Sequence, residues 1–165
     1  MELKFQVQIK VQKPLEEVFD AVQDPDKLSS YFTNGGASGP LDEGTTVQWS
    51  FADTPGQEAF TAPVTVLEVI PNELIVLDWK GARDHNTRTE MKFEQAGPED
   101  TLVTISETGW RETQQDLDSS YGNCIGWSHM LCYLKAFMEY GIDLREGAYS
   151  GLYKPEDLKS KSTAG

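Results

Sequence analysis

SSYGNCIGWSHMLCYLKAFMEY, residues Ser119–Tyr140, decides how the chain is read. Its apolar residues recur at helical spacing, which predicts one long helix. At about 100° per residue, Trp127, Met130, Leu131, Leu134 and Met138 fall on one face, flanked by Cys124. That face should lie on a sheet. Gly141 stands in the left-handed cap position with Ile142 after it. Gly122 and Gly126 weaken the first turns but permit close backbone approach. Ile125, Cys132, Tyr133, Ala136, Phe137 and Tyr140 lie around the back, and a helix greasy on both sides must be covered on both. The following tail offers Leu144, Tyr149, Leu152, Tyr153 and Leu158 as one cover, and a second copy of the chain offers another.

Upstream, the pattern is mostly strands. Leu3, Phe5, Val7, Ile9 and Val11 alternate with polar residues and predict a half-buried first strand. Pro14 suits the first helical position, and Leu15, Val18, Phe19 and Val22 follow at helical spacing. Asp24-Pro25 then reads as a cap and first-turn proline for a second short helix that buries Leu28, Tyr31 and Phe32. After a flexible stretch over 34–40, strands are expected around Val47–Phe51, Ala59–Val69, Leu74–Trp79, Thr87–Gln95 and Thr101–Gly109. Strands so spaced, with no helix between them, argue an antiparallel meander. The expected class is therefore α+β. A curved antiparallel sheet of about six or seven strands wraps around the terminal helix, with two short helices after strand one. Residues 1–141 form one domain in this reading, and 142–165 a tail that packs on it or is partly disordered.

Composition limits the function. The chain has 165 residues, 38% of them apolar, too rich for disorder despite a net charge of −13. A calculated pI near 4.4 disfavours nucleic acid and anionic membranes as partners. The tail over 141–165 has four acidic and four basic residues, so the body carries all the excess charge. The amino terminus has neither a signal-peptide core nor a membrane span. Cys124 and Cys132 lie about 12 Å apart along one helix, too far to pair, which suits a reduced cytoplasmic protein.

Local motifs then carry a resemblance. The element order is similar to the helix-grip fold of the START-like (SRPBCC) superfamily, which includes the birch pollen allergen and polyketide cyclases. Val64-Thr-Val-Leu-Glu-Val-Ile-Pro71 through Leu74–Trp79 resembles the "V-x-E-V-x-P…L-x-x-x-W" segment of the branch named after the activator of heat-shock protein 90 ATPase. Thr101–Gly109 resembles its last strand, and Gly126-Trp127 with Leu131 and Leu134 its terminal helix. The likeness spans about residues 3–141 and implies a bacterial START-like domain. It also implies a cavity between helix and sheet, and a chaperone as one partner class.

Enzyme motifs are nearly absent: no nucleophile elbow, no H-E-x-x-H, no phosphate-cradling glycine loop and no C-x-x-C. With two histidines on different elements, neither a metal site nor a cofactor is expected. His85 reads as a turn residue or a polar group at a cavity mouth, and His129 as a surface or interface residue. Glu107 is the most informative residue. If Val103 and Ile105 face the helix, so does Glu107, as a rim residue reaching water or as a desolvated pocket carboxylate. Trp49, Trp79 and Trp127 are core or cavity lining, Tyr31 and Phe32 sit at the expected opening, and Trp110 could cover the pocket end. Met91 and Phe93, with Met130, Leu131 and Leu134 opposite, complete the candidate lining. Three functions follow. The first is binding of a small apolar ligand without catalysis. The others are a protein-binding co-chaperone-like module, and a cyclase- or hydrolase-type enzyme using Glu107.

Overall fold

The computed structural model describes residues 1–153. Strand β1 (Leu3–Val11) leads into helices α1 (Leu15–Gln23) and α2 (Pro25–Ser29). Strands β2 (Gly36–Ala37), β3 (Thr46–Phe51), β4 (Phe60–Ile70), β5 (Leu74–Trp79), β6 (Thr87–Gly97) and β7 (Asp100–Trp110) follow, then helix α3 (Gln114–Tyr140). The seven strands form one antiparallel sheet in the order β1-β7-β6-β5-β4-β3-β2. Short turns join β4 to β5 and β6 to β7, loops over 52–59 and 80–86 make the other two connections, and β1 pairs with β7 to complete the sheet. The helix-grip α+β reading is what the chain adopts.

The period-two pattern sets which residues face inward. On β7, Val103 and Ile105 are buried towards the helices. On β6, Met91 and Phe93 do the same, and Phe93 meets Phe19 of α1 edge-on at 5.1 Å. Trp127, Met130, Leu131 and Leu134 of α3 are buried, and Met138 is half-buried at the edge of the same cluster. The far half of α3 is stitched to β1: Lys135 Nζ donates to Lys10 O at 2.9 Å, and Gln12 N donates to Glu139 at 3.1 Å.

Caps follow the sequence with two shifts. Asp24 Oδ1 accepts from Asp26 N and Lys27 N at 2.9 and 3.0 Å, starting α2 as expected. Pro14 stands at the N-cap of α1, one place before the first-turn position. Helix α3 begins at Gln114, five residues before the expected Ser119, because Thr113 Oγ1 accepts from Asp116 N at 3.2 Å. Thr113-x-x-Asp116 is a capping pattern hidden in a stretch too polar to show periodicity. Gly141 ends the helix at φ 66°, left-handed as expected. The stretch read as flexible holds β2, where Gly36 and Ala37 pair with Ser50 and Trp49.

Past the helix, the chain turns back across the open end of the sheet. Arg145 and Tyr149 pack inward, while Leu144, Leu152 and Tyr153 remain exposed. Tyr149 leans on the back of α3, its hydroxyl bonded to Tyr133 OH and, at 2.8 Å, to His129 Nδ1. Leu158 and the rest of the tail lie outside the described residues.

Candidate functional site

Glu107 is a fully buried carboxylate. It sits on the inner face of β7, two positions beyond Ile105, and none of it reaches solvent. The rim reading therefore gives way to the buried one. The reason lies across the sheet and helix: β5, β6 and α3 all bring cover over this strand end. Trp127 Nε1 donates to Oε1 at 2.9 Å, and Trp79 Nε1 to Oε2 at 3.2 Å. Asn123 Nδ2 donates to both oxygens at 3.2 and 3.1 Å, and Thr87 Oγ1 donates to Oε2. No cation pairs with the carboxylate among the described residues. Burial pushes its pKa above the ordinary 4.5, and the hydrogen bonds from Thr87, Trp127, Asn123 and Trp79 oppose that push.

The same node explains Gly81. A Cβ there would collide with Thr87 Oγ1 and Glu107 Oε2. Only glycine lets the β5–β6 connection pass so close to the carboxylate.

Above this node lies a cavity of about 430 Å³, within the ordinary range for ligand pockets. Trp79 and Trp127 form its aromatic floor, Phe51 and Phe60 line its sheet side, and Phe32, from the turn after α2, joins them. The indoles of Trp79 and Trp127 meet at 61°, ring centres 5.5 Å apart, and Phe32 stacks on Trp127 at 5.8 Å. On the helix side the wall is Asn123, Gly122, Gly126 and Ile125. Gly122 and Gly126 were expected to allow a close backbone approach. Instead a Cβ at either would meet nothing within 4 Å: these glycines leave room, and the room is the cavity.

Arg145 closes one end. Its Nε and Nη2 donate to the two oxygens of Asp53 at 2.8 and 2.9 Å. Its guanidinium lies 4.7 Å from the Phe51 ring centre, 4.9 Å from Tyr149 and 5.5 Å from Phe32. Asn34 Nδ2 also donates to Asp53 at 2.9 Å, and Gly151 N to Thr54 Oγ1 at 3.0 Å, so the tail is tied to the β3–β4 connection twice.

The sequence candidates divide between cavity and core. Phe32, Trp79 and Trp127 line the cavity. Glu107 lies beneath its floor, held by three of the residues that line it or flank them. Trp49 is buried behind the floor, 6.4 Å from Trp127, with its Nε1 unpaired. Tyr31 is core: it stacks on Phe137 at 5.3 Å and donates its hydroxyl to Ala21 O at 2.9 Å. Met91, Phe93, Met130, Leu131 and Leu134 are packed core away from the opening. Trp110 is buried against Phe5, 6.4 Å between ring centres, and does not reach the cavity. Phe51, Phe60, Asn123, Arg145 and Tyr149 line the cavity without having been singled out for it. The glycine pair beside Trp127 was the signal that could have found this end.

His85 is a turn residue, half-buried, and it does not reach the cavity mouth. Nδ1 contacts Asp84 at 2.9 Å, and Nε2 contacts Gly109 O at 3.0 Å and Asp116 at 3.4 Å. These contacts tie the β5–β6 loop to the start of α3, outside the cavity lining. His129 is exposed at the cavity edge, as a surface residue should be.

A seven-stranded antiparallel sheet gripping a long terminal helix, with an aromatic cavity at one end, defines a START-like helix-grip protein. The family profile described as Activator of Hsp90 ATPase homolog 1-like protein matches residues 12–139, and the chain belongs to that family. Among solved structures it is similar to DynU16, a protein of the dynemicin biosynthetic locus, with a TM-score of 0.73 and 21% identity over 87% of this chain. The chain spans half the length of DynU16, 50% of it being covered. SSP2350 from Staphylococcus saprophyticus is similar at a TM-score of 0.71 and 24% identity, over 87% of this chain and 97% of that one. The Aha1 dimer from Colwellia psychrerythraea gives 0.66 and 22%, over 84% and 98%. At such identities the likeness is one of fold. No curated protein matches the chain. No described helix is long and apolar enough to cross a membrane.

Proposed function

We propose that the protein binds a small, flat, largely apolar molecule in the cavity between α3 and the sheet, without catalysing its conversion. The observation that carries this is an aromatic-walled cavity of about 430 Å³, entered from one end of the domain. Its floor is preorganised. Glu107 holds Trp79, Trp127 and Asn123 by hydrogen bonds, so their side chains are fixed before any ligand arrives. Glu107 itself does not line the cavity, and all its contacts are spent on these side chains and Thr87. That leaves it as a positioning residue and removes the best acid for a cyclase or hydrolase reading.

A second reading, a protein-binding module, draws on family membership and on Tyr121 and Ile125. These two stand exposed one turn apart on α3. Self-association belongs to the same reading. Two free cysteines fit a reduced cytoplasmic setting for either.

Native mass spectrometry of the chain purified from its own cells tests the leading reading. A bound species of small mass, lost on denaturation, is the expected result. Bare protein that also ignores every fused-ring aromatic offered to it would contradict the reading.

A further inference from the structure

We propose that the molecule this cavity takes is a flat aromatic cation, an inference that rests on the ligand-binding reading above. The N–H donors of the cavity floor, which would greet an anion there, are already spent. Trp79 and Trp127 aim their indole N–H groups down at Glu107, and Asn123 gives its amide N–H groups to Glu107 and to Gly81 O. What these residues leave for the cavity is the half-buried ring of Trp79, the little of Trp127 that Phe32 and Trp49 leave uncovered, and an amide oxygen. Each attracts positive charge, and tryptophan offers the strongest cation–π face among the aromatic side chains.

Charge at the mouth points the same way. Asp53 and Glu58 line the cavity against one guanidinium, Arg145, whose charge is taken bidentately by Asp53. Glu58 is exposed and makes no ion pair among the described residues. A net charge of −13 adds a field that concentrates cations and repels anions.

The protein also shows this chemistry on itself. Arg145 is a planar cation seated among the faces of Phe51, Tyr149 and Phe32, with a carboxylate at its edge. A ligand with a fused-ring body against Trp79, Phe51 and Phe60 and a charge directed at Glu58 repeats that arrangement beside it.

Calorimetric titration with three acridines of one tricyclic body tests the assignment: aminoacridine as the cation, acridine as the neutral form and acridine carboxylate as the anion, at mildly basic pH. Aminoacridine should bind at least about tenfold tighter than either of the others. Glu58→Lys should abolish that preference, while Glu16→Lys on the exposed face of α1 should leave it. Equal or tighter binding of the neutral or anionic acridine overturns the charge assignment and leaves the cavity reading standing. A preference that survives Glu58→Lys, or falls equally with Glu16→Lys, reports the diffuse field alone and also overturns the assignment. Binding of none of the three overturns both.

Discussion

Gly81 lies so close to Glu107 that a single methyl group on its Cα would strike the carboxylate. A backbone position on the β5–β6 connection and a side chain on β7 thus fit only as a pair. The contact matters because Glu107 also fixes Trp79, Trp127 and Asn123.

Gly81→Ala should therefore be costly although alanine is otherwise the mildest of changes. Glu107 and Thr87 are both buried and hydrogen-bonded, so neither can swing aside. Overpacking of this kind costs about 2 kcal/mol. Urea unfolding measures it, and a loss below about 0.5 kcal/mol would mean that the node yields easily.

Glu107→Gln separates burial from hydrogen bonding through pH. Burial raises the folded pKa of Glu107 above 4.5, so the folded chain keeps that proton at pH values where the unfolded chain has lost it. Its contribution is thus fully present below the unfolded value and is lost as pH rises through the folded one. Subtracting the stability of Glu107→Gln, which cannot titrate there, removes most other groups. The advantage of wild type over the variant should shrink as pH rises from about 4.5 towards neutrality. Urea melts across that range check the sign, and an advantage that grows with pH would contradict the raised pKa.

Asp53→Asn should free the tail without unfolding the domain. It removes the carboxylate that Arg145 grips and leaves the guanidinium with aromatic faces alone. Hydrogen exchange over residues 145–153 should quicken by about tenfold or more, while the β6–β7 amides keep their protection. Unchanged exchange in the tail would show that Tyr149 and its partners on α3 suffice to hold it.

Much of the fold was legible because two periodicities carry it. Alternation in β1, β6 and β7 and helical spacing in α3 are local signals, and each survives in the packed core. Alternation also placed Glu107 on the inner face. It could not tell that the strand end is covered, because the cover comes from Gly81, Thr87 and Asn123, distant in sequence. The cavity was placed too centrally for a related reason. Met91, Phe93, Met130, Leu131 and Leu134 have the right character for lining, but large side chains fill the space they face. Space opens where α3 has no side chains, at Gly122 and Gly126, and where Arg145 folds back. A missing side chain and a returning tail leave almost no trace in hydrophobic pattern.

Those glycines also give a stability prediction. Gly122 lies in the interior of α3 with open space beyond it, so Gly122→Ala should stabilise the protein by roughly 0.5–1 kcal/mol through helix propensity. Thermal unfolding reads this directly, and a destabilised variant would mean that the helix needs flexibility there.

Gly126→Phe tests the central claim, that the space beside Trp127 is a binding site. A phenyl group at this position meets no neighbour at its Cβ and extends into the cavity. Calorimetry with whichever acridine the wild type binds, paired with a thermal melt, should give a folded variant whose affinity falls by at least about tenfold. A folded variant with undiminished affinity would contradict the claim, because the ligand would then bind elsewhere.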